Sequence, residues 1–101
     1  MRTRIGFATA TIFEALARGN GFGLDIMRET GLPSGTVYPT LSRAEASGLV
    51  RGKWEARRQA DLEARPRRRY YELTAAGHTA LAEALTRFRE LAGGHRARSR
   101  S

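Results

Sequence analysis

Apolar residues recur at helical spacing three times before the pattern of this chain changes. Ile5, Ala8, Ile12, Phe13 and Leu16 predict a first helix over about 5–18, and Gly19-Asn20-Gly21 supplies its stop. Leu24, Ile26 and Met27 predict a short second helix over about 22–30, ended by Gly31. Val37, Leu41 and Ala44 stand at i, i+4 and i+7 and predict a third, whose other face carries Thr36, Thr40, Arg43 and Ser47. That face is small, polar and nearly free of acid, the kind of surface that can approach the floor of a groove. Pro39 removes one helical hydrogen bond, so the helix is expected to start late, near 34–36, or to have a loose first turn.

After Gly48 the pattern becomes that of extended chain. Leu49 to Trp54 and Arg69 to Leu73 predict a two-stranded hairpin. The connection between them, 56–67, contains good helix formers in 56–64 with no Gly or Pro there, and both a short helix and a mobile loop fit it. Thr74 is placed to cap a last helix running to about Leu91, in which Leu81, Leu85, Phe88 and Ala92 are spaced by four, three and four residues. A seam of that kind calls for a partner helix. Gly93-Gly94 is expected to end it and to leave a disordered basic tail over 93–101.

Three helices, a hairpin and one long helix make a mostly α fold with a small β-hairpin, of the α+β class. The order is that of a winged helix-turn-helix over 1–73 with an appended dimerisation helix over 74–92. At 101 residues the chain is one domain with a modest core, which association with a second copy would extend.

Composition adds a partner. Lys plus Arg number 18 against 10 Asp plus Glu, a formal net charge of +8, and all but Lys53 of the basic residues are arginines. Arginine pairs bidentately with phosphate and with guanine edges, so the balance favours nucleic acid over a merely solvated basic surface. Residues 51–71 alone hold eight bases and three acids, +5 of the +8. The absence of cysteine removes disulfides and thiolate metal sites, and His78 and His95 have no carboxylate at ligand spacing, so no metal or cofactor is expected. No Ser-His-Asp set or phosphate-cradling loop can be assembled, which argues against an enzyme. Without an apolar run near 18 residues or a signal-peptide core, the chain reads as cytoplasmic, with no membrane partner.

The motifs Gly23-Leu24-Asp25-Ile26, Gly35-Thr36-Val37-Tyr38-Pro39-Thr40-Leu41, Gly48-Leu49-Val50, Trp54-Glu55 and Arg65-Pro66-Arg67-Arg68-Arg69-Tyr70-Tyr71-Glu72-Leu73-Thr74, then Ala76-Gly77, appear in that order. Over roughly 12–85 the chain resembles the PadR family of transcriptional regulators. The resemblance implies a homodimeric winged-helix repressor of double-stranded DNA, with the third helix in the major groove and the wing on the backbone. It places Gly35, Thr36, Tyr38, Pro39 and Thr40 at the DNA-facing start of the recognition helix; Ser34 before them and Arg43 beyond them join the candidate DNA contacts. Arg65, Pro66, Arg67 and Arg68 match the wing's basic motif, with Arg69 next to it as a further candidate DNA contact, and the pairing helix is the one whose spacing marks Leu81, Leu85, Phe88 and Ala92. A small-molecule effector is a further partner class that the resemblance allows.

The residues also admit other uses. Tyr38 lies about a hundred degrees off the buried stripe, which favours its hydroxyl on a phosphate over a place in the core. Trp54 is expected to pack across the hairpin or on the last helix rather than on a ligand. Arg43 has two open readings, DNA contact or pairing with Glu45 or Glu90. Ser34 is expected to cap the recognition helix in place of Pro33. Two rival functions stand beside DNA binding: a sensor of aromatic compounds at the dimer interface, and a winged helix that binds RNA or protein.

Overall fold

The structure is a computed structural model; it describes residues 4–100, with side chains through residue 93. Its elements are α1 (Phe7–Ala17), α2 (Gly23–Thr30), α3 (Ser34–Ala46), β1 (Val50–Trp54), α4 (Arg57–Leu62), β2 (Arg69–Leu73) and α5 (Ala75–Arg100). The order agrees with the mostly helical, winged arrangement read from the pattern. The strands pair antiparallel in the register Val50 to Leu73 through Trp54 to Arg69. A single bridge between Phe22 and Tyr70, with the Tyr71 amide donating to the Gly21 carbonyl at 2.8 Å, fastens the entry of α2 to the hairpin.

One core joins all the layers. Ile12 and Phe13 of α1, Ile26 of α2, and Val37 and Leu41 of α3 are wholly enclosed. Leu49, Val50, Ala80, Leu81 and Ala84 close the core from the hairpin and from α5. None of these helices would stand alone in water at such lengths, and burial of these side chains is what holds them. The first turn of α1 projects beyond the core. Phe7 and Ala8 are therefore exposed, Ile5 is buried ahead of the helix, and Ala10 and Ala15 take inward positions that the spacing had not marked.

The last helix starts as predicted and ends later. Thr74 Oγ1 accepts from the Gly77 amide at 3.1 Å, capping the first turn, and donates to the Gly48 carbonyl at 2.7 Å. A Cβ on Gly77 would lie 2.0 Å from the Leu49 carbonyl oxygen, so only glycine lets α5 press its backbone onto the start of β1. The stop expected at Gly93-Gly94 is not taken, and α5 continues to Arg100. Each glycine costs only about 1 kcal/mol relative to alanine, and helix formers flank the pair on both sides. The side chains of His95 to Ser101, assigned above to a disordered tail, lie outside the described ones.

Leu81 also departs from the predicted seam. It is buried in the protomer's own core, with Leu85 and Phe88 packed against that core and only Ala92 fully exposed. The spacing of four, three and four marks a face turned toward α1, the nearest apolar surface in the same chain. Phe88 instead stacks on Phe7, ring centroids 5.7 Å apart. Phe7 is 75% exposed and Leu91 68%, leaving an apolar patch on the outer part of α5.

Candidate nucleic-acid interface

Helix α3 begins after Pro33, whose carbonyl accepts from the amides of Thr36 at 2.9 Å and Val37 at 3.0 Å. Ser34 is the first helical residue, and no side chain caps the end, which corrects the cap assigned to Ser34. Proline suits the cap because its fixed φ leads into the helix. The inward arc is Val37, Thr40, Leu41 and Ala44. At about 100° per residue, the opposite arc is Gly35, Pro39, Ser42 and Ala46, all exposed.

The outward face is thus rotated from the one predicted. Thr40 is only 4% exposed, and its hydroxyl accepts from Arg43 Nη2 at 3.3 Å, so its expected place on the DNA-facing surface is corrected. Three apolar positions define the centre of a buried stripe but not its width, and the segment leading into α1 borders it on the Thr40 side. Ser42, not on the expected face, belongs to the outward one, where Gly35, Pro39, Ser42 and Ala46 recur at four, three and four. Arg43 and Ser47 form one flank with Arg4, around a shallow hollow beside the start of α1. Arg43 pairs with neither Glu45 nor Glu90. Thr36 is half-buried at the same edge.

Tyr38 and Glu45 form the other flank, facing the wing. Tyr38 is 44% exposed, and its ring lies so close over α2 that a Cβ on Gly23 would meet its hydroxyl at 2.4 Å. Phe22, Leu24, Tyr38, Arg68, Arg69 and Tyr71 surround an open groove of about 200 Å³ there. Within the protomer, this is where the aromatic side chains gather, rather than along α5.

The wing's arginines divide into two sets. Arg65 donates to both oxygens of Glu55 at 2.6 and 2.7 Å and also to Glu63. Glu55 is only 7% exposed, and the hydrogen bonds from Arg65 hold its carboxyl below the ordinary carboxylate value, against the opposing effect of burial. The same pairing holds the Arg65 guanidinium above its ordinary value. Hydrogen bonds from Gln59 and then Arg65 lower Glu63 likewise. Arg69 donates to Glu45 at 2.7 Å and stacks over Trp54 and Tyr71. Arg65 and Arg69, expected on DNA, therefore have partners inside the protein.

Arg67 and Arg68 keep their guanidinium groups outward. Arg67 Nε reaches the Glu55 carbonyl at 2.8 Å with the group over Trp54, and Arg68 lies over Phe22. Among the described residues no carboxylate pairs with Arg43, Arg57, Arg58, Arg67 or Arg68. Arg57 and Arg58 sit on α4, the helix that fills the connection left open by the sequence. Trp54 packs beneath its cross-strand neighbour Arg69 and remains over half exposed.

The family described as "Transcriptional regulator PadR-like family" matches residues 12–83, from the second half of α1 through the first third of α5, including α3 and the whole wing. The chain belongs to the PadR family. Solved structures share the fold over nearly the whole chain. A PadR-like transcription factor from Bacteroides fragilis aligns at 25% identity with a TM-score of 0.74, over 89% of this chain and 87% of that one. A PadR family regulator from Clostridium difficile R20291 aligns at 23% identity and a TM-score of 0.79, over 91% and 97%. A PadR-like regulator from Bacillus cereus aligns at 19% and 0.74, over 93% and 92%. No match was found among the curated proteins. As a PadR-family transcriptional regulator, the protein has duplex DNA as its implied ligand. Among the described residues no helix is long and apolar enough to cross a membrane, and no group of side chains is arranged to hold a metal ion.

Proposed function

We propose that this PadR-family regulator is a homodimeric repressor that reads a roughly palindromic operator with two copies of α3. The observation that carries the reading is the division of its arginines. Those that stabilise the wing are paired with acids, while Arg43, Arg67 and Arg68, with Arg57 and Arg58, face solvent without one. Unpaired arginines around a small, acid-free helix face suit phosphates on either side of a groove.

In this reading the outward face of α3 enters the major groove. Gly35, Pro39, Ser42 and Ala46 permit close approach, with Tyr38 and Arg43 on the groove walls. Arg67 and Arg68 contact the backbone from the wing, and Arg65 and Arg69 hold the wing in place. The second copy covers Phe7, Phe88, Leu91 and Ala92, the apolar surface that the protomer leaves open. A two-fold dimer requires half-sites about 10 bp, or a multiple, apart.

Selection from random duplexes, followed by gel shifts over a salt series and sedimentation of the free protein, tests the proposal. A palindromic site, affinity falling steeply with salt and a dimer at micromolar concentration are expected. A monomer, or binding indifferent to salt, overturns it.

A further inference from the structure

We infer that the main-chain carbonyl of Gly35, left without a helical donor by Pro39, is a base-reading group that selects an exocyclic amino group of adenine or cytosine. The inference rests on the proposed reading of duplex DNA by α3.

In an α-helix the carbonyl of residue i accepts from the amide of residue i+4. Residue 39 is a proline inside α3, so it has no amide to give Gly35. The proline ring also crowds that carbonyl and turns it off the helix axis. Among the described residues none of the side-chain hydrogen bonds ends on it. The acceptor therefore lacks its ordinary i+4 partner, and both Gly35 and Pro39 lie on the exposed arc. A Cβ at position 35 would meet nothing within 4 Å, so no other element of the protein covers this turn of the helix.

The chemistry of the face makes such a group useful. Of its four outward residues, Gly35, Pro39 and Ala46 have no polar side chain, and Ser42 has a single hydroxyl. On a face so poor in side-chain donors and acceptors, the backbone adds to what Tyr38 and Arg43 can read from its flanks. In the free protein the carbonyl is hydrated; docked in the groove it loses that water, and an acceptor left unpaired is penalised. Guanine and thymine present acceptors in the major groove, O6 and N7 or O4, and these repel it. Adenine N6 and cytosine N4 present the donor it needs.

The test pairs Pro39→Ala with chemically edited DNA. Wild type and variant are titrated against the selected site, and against duplexes in which one adenine or cytosine at a time is replaced by its analogue without the amine. The alanine amide restores the helical hydrogen bond and occupies the Gly35 carbonyl, so the variant should melt no lower than wild type. At one position in each half-site, wild type should lose about fivefold in affinity, and Pro39→Ala should lose nothing there. Equal losses in both proteins, or a wild type that responds at no position, overturn the inference. A wild type that selects no duplex at all overturns the DNA reading together with it.

Discussion

Glu45, on the last turn of α3, accepts a hydrogen bond from Arg69 of β2 at 2.7 Å, and the same oxygen accepts from the Gly52 amide of β1 at 3.3 Å. One carboxylate thus ties the recognition helix to both strands of the wing. Both side chains are about a third exposed, so the ion pair adds little to stability, within about 1 kcal/mol. Its effect is on orientation. Glu45→Gln should leave the melting temperature nearly unchanged and weaken binding to the selected site more than to unrelated DNA, as parallel titrations would reveal. Equal weakening on both would mean that the tie does not set the angle between helix and wing.

The two sets of wing arginines should respond differently to removal. Arg67→Ala with Arg68→Ala should weaken binding to every duplex and lower the salt slope by about one unit per lost phosphate contact, with folding unchanged. Arg65→Ala should act first on the wing, because it leaves the Glu55 carboxylate enclosed without its partner. Adding Glu55→Gln to Arg65→Ala should recover part of the lost thermal stability, read by circular dichroism.

The acid side of the pH profile follows from the same pair. Glu55 and Glu72 both titrate below the ordinary 4.5, Glu55 through hydrogen bonds from Arg65 and Glu72 through one from Lys53. A carboxyl lowered on folding contributes stability above its unfolded value, and that contribution is lost as pH falls through the folded one. Trp54 is the only tryptophan and sits on the wing, so its emission reports the change. Emission should stay level from neutral pH down to about 4.5 and shift below it, with the shift reduced in Glu55→Gln.

Thr40 and Ser42 provide a contrast between neighbours on one helix. Thr40→Val keeps the buried shape and should preserve the selected sequence. Ser42→Arg alters the exposed arc and should change or abolish it. The reverse result, in a repeat of the random-duplex selection, would place the wrong face of α3 against DNA.

Ala64 follows α4 with φ of +51°, in the left-handed region that alanine enters at a cost of roughly 1 kcal/mol. Ala64→Gly should relieve that cost, offset in part by the extra freedom of the unfolded glycine, and raise wing stability. Slower hydrogen exchange at the Arg65 amide, which donates to the Ala60 carbonyl at 3.2 Å, would register the gain.

Much of this architecture is legible in the residues because local rules and burial agree. Val37, Leu41 and Ala44 face the core as their spacing requires, the strands Val50–Trp54 and Arg69–Leu73 fall within the predicted extended runs, and Thr74 caps α5. What escapes local reading depends on groups distant in sequence. Arg65 belongs to Glu55 because α4 folds between them, and Arg69 belongs to Glu45 because the hairpin returns alongside α3. Charge count cannot separate a bonded arginine from a free one. Leu81 faces inward for a similar reason: apolar spacing indicates that a surface is covered but not by which chain.

At about 1.5 Å per residue, α5 is a rod roughly 39 Å long, resting at Gly77 directly on the carbonyl of Leu49, with no side chain between them as padding. That contact lies within the first turn, and beyond it Leu81, Leu85 and Phe88 carry the packing of α5 onward along the core. Any side chain at position 77 would therefore push the start of α5 off Leu49, at the junction where α3 ends and the hairpin begins.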